Sequence, residues 1–547
     1  MQVRVLPGAP FRFEAGHSAR RTLDAGPWRL GLGRLTLAAN DPLNPRHIAL
    51  VFHRRGIISF MAVRILARVG IGLAALAAVA TAWLWLIISD PPDALTLNRA
   101  RPIGVLIDNV RLVSMVPGAP EVEDARAVLV MGDRIVEVGA AGALPAPKGV
   151  RVVDGAGRTL IPGLIDAHIH LNDEAELAAY LAHGVTGVRN MSGYPFHLRL
   201  SERIATGALL GPDFITTGPI LNSRGPNENV LQRMVTSGDE ARAAVRAQHD
   251  AGYRALKIYS NLTREAFEAI IEEADRLGMS VSGHSPEGVR TRGVPRERPF
   301  DIPWEQSLGR GLTTLEHIET IVWHGLRDDL DEDRMRRLAA RLSASGEVVT
   351  PTLIAHRRLV LIAETKGRYL DGPGSDTINP LTRFFERGSE RHWSGVDPST
   401  YERPHADFFL TATRLLHEAG VPLIAGSDSG GFGLVPGASL ARELELLVAA
   451  GLSPHDALAA ATRTSALALG FERTGVVAPG YRANLVLLPG DPLTQIGAVE
   501  SPSGVMVGGY WIDDDGLEDM RRSARDTSFV RSLWRVLEMK LFNETKG

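Results

Sequence analysis

Four histidines and one aspartate have the residue types and the spacing of metal ligands. His168 and His170 lie two residues apart in "DAHIHL", His284 lies in "SGHSP", His317 in "LEHIE" and Asp428 in "GSDSG". Because successive side chains of a strand alternate between its two faces, His168 and His170 point to the same face. Imidazole and carboxylate groups together suit zinc and related divalent ions. One histidine at a strand end is more often a structural residue, but a set of this size favours a metal site.

The segments that must position these ligands are short apolar strands that alternate with amphipathic helices. We predict eight strands, near "LIDAHIHL", "VTGVRN", "DFITTG", "ALKIYS", "SVSGHS", "TTLEHI", "VVTPTL" and "PLIAGSDS". Stretches such as "LTREAFEAIIEEADRLGM" have the apolar spacing of helices. Eight β-α units over roughly 300 residues match an α/β fold of the (β/α)8 TIM barrel type, at residues 161–470. Active sites of such barrels lie at the carboxyl ends of the strands, so the ligands are expected to converge there.

Residues 91–160 and 471–515, on either side of the barrel, carry short β-type runs separated by turns. "MGDR" is a hairpin signal, because Gly-Asp between two apolar runs supplies the positive φ of a tight turn. The two segments predict one small β-sandwich domain assembled from both sides of the barrel. Residues 354–421 are too long for a single crossover and are a candidate lid or substrate loop. The tail, residues 516–547, is predicted to be an amphipathic helix that packs on the barrel, binds a partner helix or lies against the membrane.

Residues 61–90 are predicted to be a signal anchor, that is, a transmembrane helix near the start of the chain. The run "VGIGLAALAAVATAWLWLIIS" has twenty-one residues and no charge, enough to span a hydrocarbon core of roughly 30 Å. Two basic residues precede it and two acidic residues follow it: Arg64, Arg68, Asp90 and Asp93. The positive-inside rule then predicts a single-pass protein of the cytoplasmic membrane with its catalytic domain on the periplasmic, extracytoplasmic side. The alternative is a signal peptide cleaved near residues 80–82 and a secreted protein.

The bulk composition limits the classes of partner. The chain has 547 residues, a net charge of −3 and no cysteine. So small a net charge argues against nucleic acid as the main partner, and without cysteine neither a disulfide framework nor a thiolate metal site can form. The expected partners are a small-molecule or short-peptide substrate and the membrane, with a homo-oligomer left open. Residues 1–60 show no sustained period and precede Met61, so we expect them to be poorly ordered or to lie upstream of the true start.

Five motifs in this order, "LIPGLIDAHIHL", "ALKIYS", "GHSP", "LEHIE" and "AGSDSG", resemble those of the amidohydrolase superfamily. The surrounding sequence is similar to the imidazolonepropionase-like branch, which includes metal-dependent, prolidase-like dipeptidases. The resemblance runs from about Gly104 to Trp511 and covers both the barrel and the β-domain. It implies a binuclear metal-dependent hydrolase that cleaves an amide or peptide C–N bond. It also implies two divalent metal ions as cofactors, with zinc as the expected ion.

By this resemblance Lys257, on the fourth strand, is carboxylated by carbon dioxide and bridges the two ions. An amine that can lose its proton forms such a carbamate, whereas a guanidinium with a pKa above about 12 cannot. That difference explains why a chain in which five of the 60 basic residues are lysines keeps one here. The alternative is an ordinary lysine with a packed stem and a salt-bridged head. The implied ligand sets are His168, His170 and Asp428 for the more buried ion, and His284 and His317 for the more exposed one.

The implied reaction is attack by a hydroxide shared between the two ions, with Asp428 as general acid and base. The same site suits a lactone, another ester or a cyclic amidine, and a catalytically silent interaction scaffold is the alternative from another class. Tyr259 follows Lys257 by two residues on the same strand, so its phenol is predicted either to stabilise the developing oxyanion or to be a satisfied core tyrosine. Asn190 and Asn484 replace aspartates that are frequent in the branch, and Asn190, near the barrel mouth, is expected to influence substrate preference.

Overall fold

The computed structural model describes residues 64–79, 81–83, 92–96, 103–226, 228–288, 300–431 and 433–545. The chain divides into two compact units, one of residues 8–90 and one that contains residues 91–547. In the first unit, helix α1 (Arg64–Trp83) is long and apolar enough to cross a membrane by length and composition. A signal sequence passes the same test, so α1 agrees with both alternatives for this segment. The predictions for residues 1–60 and for the end of the anchor lie outside the described residues.

One mixed sheet of eight strands is built from both flanks of the barrel. Its strands are β1 (Gly104–Leu112), β2 (Glu123–Met131), β3 (Arg134–Ala140), β4 (Val150–Asp154), β5 (Thr159–Pro162), β15 (Leu485–Leu488), β16 (Gly504–Val507) and β17 (Tyr510–Ile512). Their order is β17-β16-β15-β5-β1-β2-β3, with β4 beside β1. β5 and β15 pair antiparallel, with Pro162 opposite Leu485, so the two predicted halves join directly. The arrangement of these strands as a sandwich stays a prediction, because a single sheet connects all eight.

The "MGDR" turn joins β2 and β3 as predicted. Gly132 has a φ of 59°, and Met131 lies opposite Arg134 in an antiparallel pair. Glycine adopts this left-handed conformation without the steric penalty of a side chain, which is why the turn forms here. The sheet encloses an apolar cluster of its own, which includes Val105 and Met506 from the two flanks.

Parallel strands occupy the region between the two flanks. They are β6 (Leu164–Ile169), β7 (Val185–Asn190), β8 (Asp213–Thr216), β9 (Leu221–Asn222), β10 (Arg233–Met234), β11 (Ala255–Ile258), β12 (Ser280–Gly283), β13 (Thr314–Glu316) and β14 (Val348–Thr350). They form one sheet in the order β6-β7-β8 and another in the order β10-β9-β11-β12-β13-β14. Seven of the eight predicted strands are therefore regular strands, whereas the two-residue strands β9 and β10 are not expected from the sequence.

The eighth predicted strand, "PLIAGSDS", joins both of these sheets through backbone hydrogen bonds, two to β14 and three to β6 and the residue after it. Ile424 N donates to Val349 O at 3.0 Å, and His170 N donates to Ser429 O at 2.7 Å. A regular ladder does not form, because Asp428 has a φ of 55° and leaves the extended conformation. The segment therefore lies between β14 and β6, which is the position of the closing strand in a barrel.

Helices connect the strands and fill the long segment before the eighth strand. They are α2 (Glu176–Ala182), α3 (Pro195–Ala205), α4 (Gly238–Ala251), α5 (Arg264–Leu277), α6 (Ile318–Gly325), α7 (Glu332–Ser345), α8 (Leu353–Glu364), α9 (Pro380–Gly395), α10 (Glu402–Glu418), α11 (Ala438–Ala449), α12 (Pro454–Ala460) and α13 (Arg463–Leu469). Local residues set the ends of α5: Thr263 Oγ1 accepts from Ala266 N, and Gly278 follows the last turn with a φ of 65°. The predicted lid segment, residues 354–421, is thus largely helical, in α8, α9 and α10.

The tail forms two helices, α14 (Asp514–Ser523) and α15 (Phe529–Thr545), instead of the single predicted one. Asp513 Oδ1 accepts from Gly516 N at the start of α14, and Ser528 Oγ accepts from Arg531 N at the start of α15. A side chain that caps a helix satisfies amides that have no partner in the preceding turn. The second cap therefore explains the break between the two helices.

Candidate metal centre and catalytic pocket

His168, His170 and Asp428 lie together where β6 and the eighth strand segment end. One ligand atom from each residue lies within 4.8 Å of the other two. His170 Nε2 is 3.0 Å from Asp428 Oδ1, and His168 Nε2 is 3.5 Å from the same atom. Burial disfavours the charged form of Asp428, but the contact with His170 and the proximity of His168 hold the pKa of this carboxyl below its usual range. Two imidazoles and an ionised carboxylate are a donor set that fits a zinc-type ion.

A row of aromatic rings continues from this cluster to the other predicted residues. The ring centroids of His168 and His317 are 4.7 Å apart, those of His317 and His284 are 4.6 Å apart, and those of His284 and Tyr259 are 4.0 Å apart. These rings and Lys257 line one cavity of about 150 Å³. The structure thus brings every predicted ligand and Tyr259 into one pocket, with His284 and His317 outside the tight group of three.

Lys257 lies on β11, and its side chain is almost wholly buried, at 1% exposure. Within the described part of the chain its Nζ has no hydrogen-bond partner. Burial lowers the pKa of Lys257 to about 8, although Glu316 and Asp428 act in the opposite direction. An amine in this environment loses its proton readily, which is the condition for carboxylation. A salt-bridged lysine would have a carboxylate at its head group, so the geometry disfavours that alternative.

A buried ion pair next to the ligand cluster orients His168. Its Nδ1 lies 2.6 Å from Glu316 Oε2, and Arg189 Nη2 donates to Glu316 Oε1 at 2.7 Å. Burial alone would favour a neutral Glu316, but Arg189 and His168 hold the pKa of this carboxyl well below its usual range. Burial, with a contribution from Lys257, also lowers the pKa of His168 to about 4. The neutral ring therefore donates its Nδ1 proton to Glu316 and keeps the Nε2 lone pair for a metal ion.

Glu316 and Arg189 belong to the candidate site by their contacts, although the sequence motifs did not indicate them. Both stand in motifs quoted above, "LEHIE" and "VRN", where His317 and Asn190 draw attention instead. Alternation along β13 would put Glu316 and His317 on opposite faces, yet both are buried and His317 has a φ of 69°. A signal was nonetheless present, because an arginine and a glutamate inside apolar strands need each other to be buried at all.

Three of the eleven described non-glycine residues with a positive φ lie at or beside the candidate site. His317, Thr352 and Asp428 have φ angles of 69°, 47° and 55°. This left-handed region disfavours residues with a side chain by about 1–2 kcal/mol each. His317 Nδ1 lies 2.6 Å from Thr352 Oγ1, so the strained residues also hold each other. Outliers of this kind gathered at predicted ligands are typical of a functional site.

Helices supply the walls of the cavity beyond the ligands. The wall residues are Ala355, Arg358 and Leu359 from α8, Leu381, Thr382, Phe385 and Glu386 from α9, and Val536 from α15. The predicted lid segment therefore borders the pocket. Arg358 is buried in this wall, and Glu319 and Glu386 line the same cavity. The wall can thus contact both apolar and charged parts of a substrate.

Two buried arginines attach α15 to the loop that follows the ligand histidines. Arg531 Nε lies 2.9 Å from Asp173 Oδ2, and Arg531 Nη2 lies 2.7 Å from Asp173 Oδ1. Arg535 Nη2 lies 3.3 Å from Glu174 Oε1. Asp173 and Glu174 follow His170 by three and four residues. The tail therefore packs on the catalytic unit, which agrees with the first of the three expectations for it, and it does so beside the candidate ligands.

Asn190 and Asn484 have structural partners. Asn190 is buried, accepts from Leu171 N at 2.9 Å and donates to Thr216 Oγ1 at 3.0 Å. It holds the loop after β6 and is not among the residues that line the cavity, so the expected influence on substrate preference is not supported. Asn484 Nδ2 donates to Asp213 Oδ2 at 2.8 Å and links the β-domain to the barrel.

The fold and the pocket define the class of protein to which the chain belongs. The family model described as the amidohydrolase family matches residues 159–512, more than half of the chain. The chain therefore belongs to the amidohydrolase family, whose members are hydrolases that act on C–N bonds and generally use metal ions. The match begins at β5 and ends at β17, so α14 and α15 lie beyond it.

Individual relatives agree with the branch expected from the motifs. The chain is 24% identical over 406 residues to imidazolonepropionase of Streptomyces griseus subsp. griseus, which covers 71% of this chain and 91% of that protein. A shorter match, 38% identical over 92 residues, covers 16% of this chain and only 14% of adenine deaminase of Gluconobacter oxydans, far less than two thirds of that relative.

Solved structures share the fold. A bottromycin amidohydrolase has a TM-score of 0.61 at 24% identity, and the match covers 82% of this chain and 99% of that chain. A Xaa-Pro dipeptidase with bound methionine in its active site has a TM-score of 0.57 at 19% identity, with coverage of 75% and 100%. The predicted resemblance to the imidazolonepropionase-like and prolidase-like branch is thus confirmed.

Proposed function

We propose that this protein is a binuclear metal-dependent hydrolase of an amide or peptide C–N bond. The observation that carries the proposal is the convergence of His168, His170 and Asp428 beside the buried amine of Lys257. Family membership supports hydrolysis of a C–N bond, and the donor set supports the use of a metal ion. A catalytically silent interaction scaffold does not require buried, charge-paired residues with a strained backbone around a cavity, so these features favour an enzyme.

The metal ligands in this proposal are the strand-end residues and one lysine. His168, His170 and Asp428 would hold the first ion, His284 and His317 would hold the second, and Lys257, once carboxylated, would be the ligand that the two ions share. When bound, the two divalent ions, with zinc as the expected choice, supply Lewis-acid polarisation of the scissile carbonyl and a water whose pKa is lowered to about 7.

Asp428 is the proposed general acid and base. Its carboxylate is ionised because His170 and His168 hold its pKa low, so Oδ1 can take a proton from the attacking water. The same group then delivers that proton to the leaving nitrogen. Glu316 is a positioning residue, since it keeps the Nδ1 proton on His168 and the Nε2 atom directed at the ion.

Tyr259 is the proposed oxyanion donor. Its ring lies in the cavity, 4.0 Å from the ring of His284, and it is half-buried rather than packed in the core. A phenol in this position donates a hydrogen bond to the carbonyl oxygen as negative charge develops on it. The half-buried position favours this role over that of a satisfied core tyrosine.

The proposed substrate is a small molecule or a short peptide with an amide bond. A cavity of about 150 Å³ with apolar and charged wall residues suits such a molecule. The names of the Xaa-Pro dipeptidase and of the bottromycin amidohydrolase support an amide. A lactone, another ester or a cyclic amidine is the second candidate, because the same groups serve it and imidazolonepropionases are similar along 71% of this chain.

The surrounding architecture is part of the proposal. Residues 161–470 form a closed barrel, residues 91–160 and 471–515 form the β-domain, and α1 is a single-pass anchor that holds the catalytic domain on the periplasmic side. The length and apolar composition of α1 support the anchor. Alkaline carbonate extraction of native membranes tests it, since an anchored chain stays in the pellet and a cleaved, secreted one does not.

The variant Lys257→Arg tests the bridging role. Arginine keeps the positive charge but cannot form a carbamate, so kcat/KM should fall about 1000-fold, as expected when several kcal/mol of metal-ion catalysis are lost. Purified full-length protein is screened against N-acyl amino acids, dipeptides and lactones, and its divalent metal content is measured by elemental analysis. Lys148→Arg, at an exposed loop lysine, is the matched control. Near-normal activity of Lys257→Arg would overturn the bridge, and a wild-type chain that binds no divalent metal would overturn the function.

A further inference from the structure

Two helices at the rim of the pocket leave large apolar side chains exposed on one surface. On α15, Phe529, Trp534, Leu537 and Leu541 are 37%, 40%, 46% and 60% exposed, and all four lie on the outward side of the helix, away from its buried residues. On α9, Phe384 and Phe385 are 49% and 63% exposed. The rings of Phe384 and Phe529 lie 5.8 Å apart and join the two helices into one surface. We call these six residues the mouth patch.

The mouth patch is continuous with the catalytic cavity. Phe385 belongs to the patch and also lines the cavity, and Val536, on the inner side of α15, lines the same cavity. Arg531, Arg535 and Met539 form the buried side of α15. The patch residues of α15 therefore lie on the outer face of a helix that is attached to the catalytic unit. An apolar surface at a pocket opening marks a site of interaction, whereas apolar residues scattered singly do not.

The residue types of the patch fit one kind of partner. Phenylalanine and tryptophan beside basic side chains are typical of helices that lie in the interface of a bilayer. Arg387 lies over the ring of Phe384, with 5.4 Å between the guanidinium carbon and the ring centroid, and Lys540 is exposed between Leu537 and Leu541 on α15. An aromatic surface bordered by these cations complements apolar chains below anionic headgroups.

The course of the chain brings a bilayer within reach of the patch. From Trp83, the last described residue of α1, to Pro92 there are nine residue steps, which span at most about 32 Å. The chain then forms a turn at Asp93–Leu95 that packs against α2. Helix α2 is about 10 Å long and starts directly after the loop of Asp173 and Glu174, to which α15 is attached. The start of the catalytic unit therefore packs on α2, and the loop directly before α2 holds α15, the helix that carries four of the six patch residues.

We propose that the mouth patch docks on the lipid bilayer that α1 enters, so that the catalytic pocket opens at the membrane surface. This docking rests on the membrane anchor proposed above. The bilayer is preferred to a second copy of the chain because the proposed anchor supplies it in cis, through a connection of nine residue steps. Docking would bury the six apolar side chains of the patch and leave Arg387 and Lys540 at the level of the headgroups.

The absence of cysteine from the chain makes a site-specific test simple. Trp534→Cys and Leu541→Cys place one thiol each in the patch, and Leu467→Cys places one on α13, at a residue that is 85% exposed and outside the patch. Each full-length variant is labelled with an environment-sensitive nitrobenzoxadiazole dye and reconstituted in vesicles of phosphatidylethanolamine and phosphatidylglycerol. The expected result is blue-shifted emission at 534 and 541 that doxyl-labelled lipids quench severalfold more than at 467.

Each other result overturns the docking in a distinct way. Water-like emission at 534 and 541 in vesicles that retain the protein after carbonate extraction contradicts the docking and leaves the anchor intact. Release of the protein by carbonate removes the anchor and, with it, the basis of the docking. A blue shift that grows with protein density and is not quenched by doxyl lipids identifies a second copy of the chain as the occupant.

Discussion

The floor and the mouth of the pocket are built in different ways. The floor consists of His168, His170, Lys257, Glu316 and Asp428, which lie on barrel strands or directly after them. Its groups are buried, and several fix one another through charge-assisted contacts such as His168 Nδ1 to Glu316 Oε2 at 2.6 Å. The mouth consists of α8, α9 and α15, and its outer surface is exposed and apolar.

One part of the mouth also differs from the floor in its position along the chain. The floor, α8 and α9 lie within the part that matches the amidohydrolase family, whereas α15 lies beyond the end of the match at residue 512. In barrel enzymes the strand ends carry the reaction, and the loops and additions around them carry specificity. We therefore expect the reaction and the selection of the substrate to depend on different parts of this pocket. Changes at the floor should act on kcat and metal content, and changes at the mouth on KM.

The largest effect is expected for Asp428→Asn at the floor. An amide cannot accept the proton of the attacking water, so kcat should fall about 1000-fold, within the usual contribution of a general acid and base. Steady-state kinetics on the substrate found by the screen measure this, with Asp124→Asn, at an exposed carboxylate, as the control. If Asp428→Asn kept more than a tenth of kcat, the proton would have to pass through another group.

Tyr259→Phe is expected to lower kcat about 100-fold, because an oxyanion donor acts in the transition state. The ring itself stays, and with it the packing against His284, so metal content should not change. Kinetics and metal analysis of the same preparation separate the two quantities. Unchanged kinetics would show that the phenol only fills space, and a loss of metal would assign Tyr259 to ligand positioning.

The floor was largely predictable from the sequence, and the reasons are physical. His168 and His170 follow the period of a strand, and Asp428 ends another strand, so their convergence follows from the rule that parallel strands end on one side. Glu316 was not predicted, because strand alternation puts neighbouring side chains on opposite faces and His317 is the predicted ligand. The left-handed φ of His317 breaks that alternation, so both side chains lie at the site. Local backbone strain is set by tertiary contacts and leaves no periodic trace in the sequence.

The mouth was much less predictable. Asn379 and Pro380 give a local sign of where α9 begins but not of where it packs, and the pairing of Arg531 with Asp173 joins residues 358 positions apart. The break between α14 and α15 has only one local sign, the capping residue Ser528. The position of such a long-range ion pair is set by the folded arrangement of distant segments. The position of a strand-end ligand is set by the strand that carries it. That is why the convergence of the candidate ligands could be predicted from the sequence and the shape of the opening could not.

Glu316→Gln is expected to lower activity less than the two preceding changes at the floor. The amide is a weaker acceptor for His168 Nδ1 and leaves Arg189 without its carboxylate, so metal affinity should fall about 10- to 100-fold. Because Glu316 positions a ligand and touches no substrate, an excess of metal should restore most of kcat. Metal titration with activity as readout measures this, and Glu137→Gln on β3, at an exposed residue, is the control. If saturating metal restored no activity, Glu316 would belong to the catalytic machinery itself.

The smallest effect is expected for Val536→Ala at the mouth. Val536 is the residue of α15 that lines the cavity, and the loss of two methyl groups from an apolar wall should raise KM about 10-fold without changing kcat or metal content. Val530→Ala on the same helix is the matched control, because Val530 faces solvent and does not line the cavity. A fall in kcat for Val536→Ala at unchanged metal content would mean that α15 acts on the reaction itself. Floor and mouth would then form one unit, and the tail beyond the family match would be part of the catalytic centre.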